Sequence, residues 1–144
     1  MPTTACPLCQ SESADILWRN ALCRVLWVED DDYPGYCRVI LNSHRQEMTD
    51  LPESERQQLM AVVFAAEAAL RETARPDKIN LASLGNQVPH LHWHVIPRWQ
   101  EDATFPDAIW VAAKRSGRVQ VDRGRLKRDF AARLRELLAP PEKA

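Results

Sequence analysis

Three of the four histidines of this chain fall within five residues, in the run His90-Leu91-His92-Trp93-His94. Side chains alternate between the two faces of a β-strand, so this spacing predicts three imidazoles on one face, about 6.6 Å apart. Imidazole titrates near neutral pH and can act as a nucleophile, an acid–base group or a metal ligand. The run therefore predicts a reactive site.

A metal ion held by all three histidines is geometrically awkward. His90 and His94 would lie about 13 Å apart along an extended strand, whereas zinc needs ligand atoms about 2.0–2.1 Å from one centre. A phosphate chain fits the row of imidazoles better, because it is long and offers several oxygens to several donors.

The elements that must position these residues are short apolar runs and one long helix. Strands are predicted over residues 16–19, 22–29, 36–41, 78–84 and 89–97. Residues 51–74 form the clearest helix, because apolar residues recur there at helical spacing and Thr49 or Asp50 can cap it. A second, amphipathic helix is predicted over residues 125–138. Hairpin-joined strands interrupted by a long helix predict an α+β fold with an antiparallel sheet.

Length and composition point to a single globular domain. The 144 residues suffice for a real core. Apolar residues make up 45% and charged residues 27%, which excludes a disordered chain. A net charge of −1 predicts no overall attraction to nucleic acid or membrane, and we expect neither as a partner. We see no secretory signal and no apolar stretch near about 18 residues, so the expected location is cytoplasmic.

The four cysteines fall into two groups. Cys6 and Cys9 form a C-x-x-C motif, which is typical of metal sites and of redox pairs. A thioredoxin-like redox pair is disfavoured, because no βαβ pattern follows the motif. Cys23 and Cys37 lie in apolar, strand-like runs and are expected to be small buried hydrophobes. Without a secretory signal, disulfides are not expected.

The run from His90 to Ile96 resembles the signature of the histidine triad (HIT) superfamily, in which three histidines alternate with hydrophobic residues. Residues 80–86 resemble the strand and turn that precede this signature, and Phe105 to Trp110 resemble a later Phe-Pro-x-x-Ile-Trp of compact bacterial members. The resemblance implies a five-stranded antiparallel sheet with a long helix packed on it, usually as a homodimer. It divides the chain into an N-terminal segment (1–14), a HIT domain (15–110) and a C-terminal extension with a helix (111–144).

The resemblance also implies a role for each histidine. His92 would attack the α-phosphorus of a nucleotide and form a covalent nucleotidyl-imidazole that water hydrolyses. His94 would bind the phosphate or help the leaving group, and His90 would orient the site or bind a metal. The residues agree with this chemistry, because a neutral imidazole is a good nucleophile and a backbone carbonyl on its Nδ1–H would fix the attacking tautomer. No organic cofactor is expected.

Nucleotide and phosphate contacts are expected from the strand and turn before the triad, namely from Asn80, Gly85, Asn86 and Gln87. Side-chain amides and turn N–H groups would stabilise charge on the phosphoryl oxygens, and either Asn86 or Gln87 can make the phosphate contact. The family's ribose-binding acid comes from the first hairpin, where four residues compete with a simple role as solvated turn carboxylates: Glu29, Asp30, Asp31 and Asp32.

Sugar-phosphate nucleotidyltransferases of the superfamily carry glutamine at the third triad position, so His94 favours hydrolysis over transfer. The expected substrate is a nucleoside phosphoramidate, a dinucleoside polyphosphate or an adenylylated small molecule. Two alternatives stay open: a nucleotide-binding or interaction module with little catalysis, and a metalloenzyme with all three triad histidines as ligands.

A structural zinc site is implied as well. Some bacterial HIT proteins bind zinc through an N-terminal C-x-x-C, a histidine after the second hairpin strand and the first triad histidine. Cys6, Cys9, His44 and His90 come in that order here, and two thiolates with two imidazoles suit tetrahedral zinc. The alternatives are two idle thiols at a loose N-terminus, and a His44 that lines the catalytic pocket.

Overall fold

The computed structural model describes residues 5–10, 15–116 and 118–140; the remaining parts of the expected segments 1–14 and 111–144 lie outside the described residues. In chain order the elements are α1 (Pro7–Gln10), β1 (Ile16–Arg19), β2 (Cys23–Trp27), β3 (Cys37–Leu41), a 3₁₀ turn (Met48–Asp50), α2 (Glu53–Ala74), β4 (Lys78–Ala82), β5 (His92–Arg98) and α3 (Arg123–Leu138).

The strands form one five-stranded sheet in the order β1-β2-β3-β5-β4, and every neighbouring pair is antiparallel. The predicted α+β fold with a five-stranded antiparallel sheet and a long helix is therefore confirmed. Because β3 lies directly beside β5, the first hairpin borders the triad strand. In this register Arg38 pairs with His94 and Ile40 pairs with His92.

The two faces of the sheet differ in what covers them. Helix α2 packs on β3 and β5, and α3 packs on α2 and β1. Alternate strand residues such as Val39 and Val95 are fully buried against α2, and burying each such side chain stabilises the fold by about 1.5–3 kcal/mol. The opposite face carries Arg38, His92 and His94. None of the helices in the described parts of the chain is long and apolar enough to cross a membrane.

The opposite face is covered by the N-terminal segment, which includes α1, and by the loop after β5. Ile40 packs against Cys6 and Leu8 of the N-terminal segment. Elsewhere, Tyr36 and Ile96 pack in a cluster with Ala103, which belongs to the loop after β5. These covers leave part of the face open beside the histidines.

The predicted cap of the long helix is wrong. Helix α2 begins at Glu53 and its N-cap residue is Pro52, whose side chain makes no capping hydrogen bond. Asp50 is used one turn earlier, where its carboxylate accepts a hydrogen bond of 3.0 Å from the backbone N–H of Glu47. Because Thr49 and Asp50 belong to the 3₁₀ turn, neither residue is at the N-cap position of α2.

The predicted start of the triad strand is also wrong. Strand β5 begins at His92, because Pro89 has no N–H for a sheet ladder and the next two residues use theirs elsewhere. The N–H of His90 donates to the carbonyl of Val88 at 2.8 Å, and the N–H of Leu91 donates to Arg45 at 2.8 Å. His90 is thus outside the strand, and only His92 and His94 share a strand face.

Candidate active site

A pocket of about 350 Å³ opens on the polar face of the sheet beside His92 and His94. Its volume falls within the range of small-molecule sites. Five apolar and five polar residues line the pocket. The apolar ones are Leu8, Leu84, Gly85, Val88 and Trp110, and the polar ones are Arg38, Asn86, Gln87, His92 and His94.

The ring of His92 is fixed by a hydrogen bond to the backbone just before β5 begins. Its Nδ1 donates to the carbonyl oxygen of His90 at 2.6 Å, so its proton is at Nδ1. No described residue forms a hydrogen bond with Nε2, which keeps a free lone pair. Burial lowers the pKa of His92 and the Arg38 charge acts in the same direction, while the bond to His90 opposes them. The ring is therefore held as a neutral imidazole that can attack through Nε2.

His94 has the opposite protonation pattern. The hydroxyl of Tyr36 lies 2.5 Å from its Nδ1, and Nε of Arg38 donates to the same hydroxyl at 3.3 Å. An arginine N–H can only donate, and burial raises the pKa of Tyr36, so the phenol keeps its proton. That proton goes to Nδ1 of His94, because no other described group accepts it. His94 therefore carries its own proton on Nε2, as a donor for a ligand.

The environment keeps His94 uncharged. Burial is the main cause that lowers its pKa to about 4, and the neighbouring His92 and Arg38 add to the effect. The ring of His94 lies 4.9 Å from that of His92 between centroids. At neutral pH the pocket thus presents one imidazole lone pair and one imidazole N–H side by side.

Six residues of this site were missed from the sequence: Leu8, Tyr36, Arg38, Leu84, Val88 and Trp110. Arg38 is a single charged residue in the apolar run of β3, and that exception was the available signal. Trp110 is half exposed, and its ring meets His94 edge-on at 4.9 Å. The only signal for Trp110 in the sequence is the family resemblance, because no local pattern predicts that this residue returns to the sheet.

The predicted phosphate turn is at the pocket. Gly85, Asn86 and Gln87 all line it. Gly85 has φ of 69°, in the left-handed region that favours glycine. Both amide side chains border the pocket, so the choice between Asn86 and Gln87 stays a prediction.

Other predicted ligand contacts are elsewhere. Asn80 accepts a hydrogen bond of 2.8 Å from Nη1 of Arg98, which is itself buried against Asp102. The structure therefore does not bring Asn80 to the pocket. None of the four hairpin acids lines the pocket either, and the carboxylate of Asp30 accepts from the N–H of Asp32 within its own turn. The ribose contact expected from one of these four acids therefore stays a prediction.

The four residues predicted to bind zinc form a cluster. One ligand atom from each of Cys6, Cys9, His44 and His90 lies within 4.8 Å of the others. Nδ1 of His90 is 3.4 Å from both thiol sulfurs, and Nδ1 of His44 is 3.3 Å from Cys9. Tetrahedral zinc with Zn–S and Zn–N bonds of ordinary length places such atoms about 3.5 Å apart. The cluster can hold a metal ion of this kind.

The second nitrogen of His90 supports this assignment. Nε2 of His90 lies 2.6 Å from the carbonyl oxygen of Leu41 and donates to it, which leaves Nδ1 free to bind a metal. The other two thiols differ. Cys23 and Cys37 are fully buried in the core, and burial raises the pKa of both, that of Cys23 to about 12. Only the C-x-x-C pair is placed for metal chemistry.

His90 links the cluster to the pocket. Its ring belongs to the cluster, while its backbone carbonyl accepts the hydrogen bond from Nδ1–H of His92. His92 and His94 make their hydrogen bonds elsewhere, so the described structure does not gather the three triad histidines around one metal.

Comparisons with known proteins agree with this arrangement. The HIT domain family matches residues 10–101. A curated relative, "AP-4-A phosphorylase" of Mycobacterium tuberculosis, is 29% identical over 110 residues, which cover 72% of this chain but only 56% of the relative.

Two solved structures are also similar. A histidine triad protein from Bradyrhizobium japonicum has 31% identity and a TM-score of 0.68, covering 85% of this chain and 89% of that one. A Zn-bound histidine triad family protein from Mycobacterium smegmatis has 26% identity and a TM-score of 0.56, covering 86% and 87%. With the family match over more than half of its length, the chain belongs to the HIT domain family.

Proposed function

We propose that this chain is a nucleotide-processing enzyme that breaks a phosphoanhydride or phosphoramidate bond at an α-phosphorus through a nucleotidyl-His92 intermediate. The observation that carries the proposal is the hydrogen bond from Nδ1 of His92 to the carbonyl of His90, at 2.6 Å, which leaves the Nε2 lone pair unused in a ligand-sized pocket.

The first step forms the intermediate. Nε2 of His92 attacks the α-phosphorus, the N–P bond forms, and the bond from phosphorus to the leaving group breaks with its electron pair going to that group. The ring keeps its Nδ1 proton and becomes cationic, and the His90 carbonyl is already placed to stabilise that charge. Negative charge on the phosphoryl oxygens would be met by Nε2–H of His94 and by the turn from Gly85 to Gln87.

The second step returns the enzyme to its starting state. An acceptor oxygen attacks the phosphorus, the N–P bond breaks, and its electron pair returns to Nε2 of His92; when the acceptor is water, the proton that the water loses passes to solvent. Water as acceptor gives a nucleoside monophosphate, and orthophosphate gives a nucleoside diphosphate. His94 at the third triad position favours water, whereas the similarity to a phosphorylase of Mycobacterium tuberculosis favours orthophosphate. Product analysis with and without orthophosphate separates the two.

Zinc is proposed for the Cys6, Cys9, His44 and His90 cluster, in a structural role. The fit is supported by the 3.3–3.4 Å contacts between the thiol sulfurs and Nδ1 atoms and by the Zn-bound relative. Bound zinc would hold the N-terminal segment against His90, while the residues of the pocket do the chemistry. Two free thiols as ligands agree with the proposed cytoplasmic location, where thiols stay reduced.

A homodimer is proposed as the working state. Strand β4 is at the edge of the sheet, and Phe64 on α2 leaves 55% of its surface exposed. An unpaired edge and an exposed aromatic ring are typical of association surfaces. Light scattering after size-exclusion chromatography would measure the mass in solution.

The test of the enzyme proposal is a His92→Ala variant assayed against dinucleoside polyphosphates and nucleoside phosphoramidates. We expect turnover to fall by about 10³-fold or more, because removal of a covalent nucleophile removes the reaction path. Circular dichroism and metal content should match the wild type. An Arg135→Gln variant, on the exposed side of α3, is the control and should keep full activity. Unchanged turnover in His92→Ala would refute the proposal, and tight nucleotide binding without product in the wild type would favour a binding module.

A further inference from the structure

Arg38 is a partly buried cation whose terminal nitrogens bond to no group in the described part of the chain. Its Nε donates to the Tyr36 hydroxyl at 3.3 Å, and its guanidinium lies 5.4 Å from the centre of the Tyr36 ring. No carboxylate lies within 4.0 Å of it among the described residues, and no described group bonds to Nη1 or Nη2. A half-buried charge without a counterion is unfavourable. We therefore expect the guanidinium group of Arg38 to bind an anionic ligand.

A neighbouring arginine provides a comparison. Arg24 is on the same face of the sheet but its terminal nitrogens donate to protein groups, namely the carbonyl of Leu8 at 2.5 Å and Oδ1 of Asn42 at 3.2 Å. Arg24 therefore supports the structure. Arg38 instead lines the pocket, directly across the strand pair from His94.

On these contacts, and resting on the proposed function, we propose that Arg38 binds the phosphate next to the reacting phosphorus, so that the site takes substrates whose leaving group is a phosphate chain. The guanidinium fork matches two phosphate oxygens at once. When His92 attacks the α-phosphorus, the bridging oxygen leaves with the electron pair, and the charge that develops on the adjacent phosphate is met by Arg38.

The state of His94 supports the same substrate class. An amine leaving group must gain a proton as the P–N bond breaks, because the conjugate acid of an alkylamine has a pKa of about 10. His94 offers an N–H but is a neutral imidazole in this pocket, so it is a hydrogen-bond donor and a poor proton donor. A phosphate chain leaves as a stable anion and needs only charge stabilisation. Arg38 and His94 together thus favour polyphosphates over phosphoramidates.

The experiment compares two substrates with the same adenylyl group, diadenosine tetraphosphate and adenosine 5′-phosphoramidate. The wild type should have a higher kcat/KM for the tetraphosphate. Arg38→Gln should lower that value by about 10- to 100-fold, the range of a hydrogen-bonded charge, and should lower the phosphoramidate value by less than about 3-fold. Arg38→Lys should recover part of the loss, and Arg135→Gln should change neither value.

Failure of this inference is distinguishable from failure of the proposed function. Equal losses on both substrates, or a wild type that prefers the phosphoramidate, overturn the role of Arg38 while nucleotidyl transfer to His92 stands. A wild type without turnover on either substrate overturns both. If Arg38→Gln does not fold, inhibition by inorganic tripolyphosphate decides. Tripolyphosphate should compete with the substrate in the wild type and about 3- to 10-fold more weakly in Arg38→Lys, which keeps the charge and loses the two-pronged contact. No competition in the wild type overturns the inference.

Discussion

The two ends of the histidine run contain the same residue at the same spacing and do different things. The ring of His90 lies among two thiols and His44, below the surface. The rings of His92 and His94 border an open pocket. The difference arises where the backbone enters the sheet, since His90 precedes the strand and the other two are on it. Alternation in a sequence therefore does not fix a shared face when the strand begins inside the motif.

Each ring is fixed by a hydrogen bond at one nitrogen, and the free nitrogen determines its use. Nε2 of His90 is bonded to Leu41, so Nδ1 is available to a metal. Nδ1 of His92 is bonded to the His90 carbonyl, so Nε2 is available as a nucleophile. Nδ1 of His94 accepts from Tyr36, so Nε2–H is available as a donor. Three hydrogen-bond partners thus fix two tautomers, with the proton on Nδ1 in His92 and on Nε2 in His90 and His94, and the surroundings give the three rings different uses.

The largest expected effect separates the metal end from the pocket. Cys6→Ser should remove bound zinc and lower the free energy of unfolding by about 3 kcal/mol, because a structural metal stabilises the folded state that binds it. For a domain of this size that corresponds to about 6–12 °C in Tm. Elemental analysis and thermal unfolding measure the two effects. Cys23→Ala is the control for a thiol outside the cluster and should keep the full zinc content. If the wild type binds no zinc, the contrast between the two ends fails.

A smaller effect is expected inside the pocket. Tyr36→Phe removes the hydroxyl that donates to Nδ1 of His94, and a hydrogen bond of this kind contributes about 1–2 kcal/mol, or about 5- to 30-fold in kcat. Zinc content should not change. Nitrogen-15 NMR should show that His94 no longer has its proton only on Nε2. An unchanged kcat together with an unchanged NMR pattern would contradict the assigned tautomer.

The pocket end should also be sensitive to acid. The pKa of His94 is about 4 in the folded chain and about 6.5 when exposed. Between these values the unfolded state binds more protons, so the free energy of unfolding falls as pH falls from 6.5 to 4 and levels off below. With allowance for solvent in the pocket, the share of His94 is about 1–2 kcal/mol. Urea titrations at pH 7 and pH 4.5 should show a smaller loss in His94→Gln than in the wild type; equal losses would contradict the shift.

The smallest effect is expected at the rim. Trp110 is half exposed and meets His94 through a ring edge. Such a contact contributes about 0.5–1.5 kcal/mol, so Trp110→Ala should change kcat/KM by no more than about 10-fold and should leave zinc content and Tm close to the wild type. A loss as large as that of His92→Ala would mean that Trp110 belongs to the reacting centre and not to the rim.

Much of the fold and part of the site could be predicted from the sequence. Periodicity located the helices and strands, and spacing paired His92 with His94. The cluster of Cys6, Cys9, His44 and His90 was implied by family resemblance. The start of β5 was missed because Pro89 and the hydrogen bonds of the next two residues act through the tertiary structure.

Arg38 and Tyr36 could not be predicted as pocket residues, because the pairing of β3 with β5 determines what lies beside His94. Trp110 depends on the loop after β5, where the buried carboxylate of Asp102 accepts hydrogen bonds from Arg98 and from backbone groups of the loop. Such a network is invisible to periodicity, since its residues have no regular spacing.

Leu8 lies between the two cluster cysteines in the sequence. Its side chain packs against Ile40 and also lines the pocket. The lining of the pocket therefore extends beyond the stretch that carries the family pattern, residues 10–101. An expression fragment trimmed to start at residue 15 and end before Trp110 would keep all five strands and all three triad histidines. It would lack Leu8 and Trp110, which both line the pocket. The specificity of such a fragment would therefore not represent that of the whole chain.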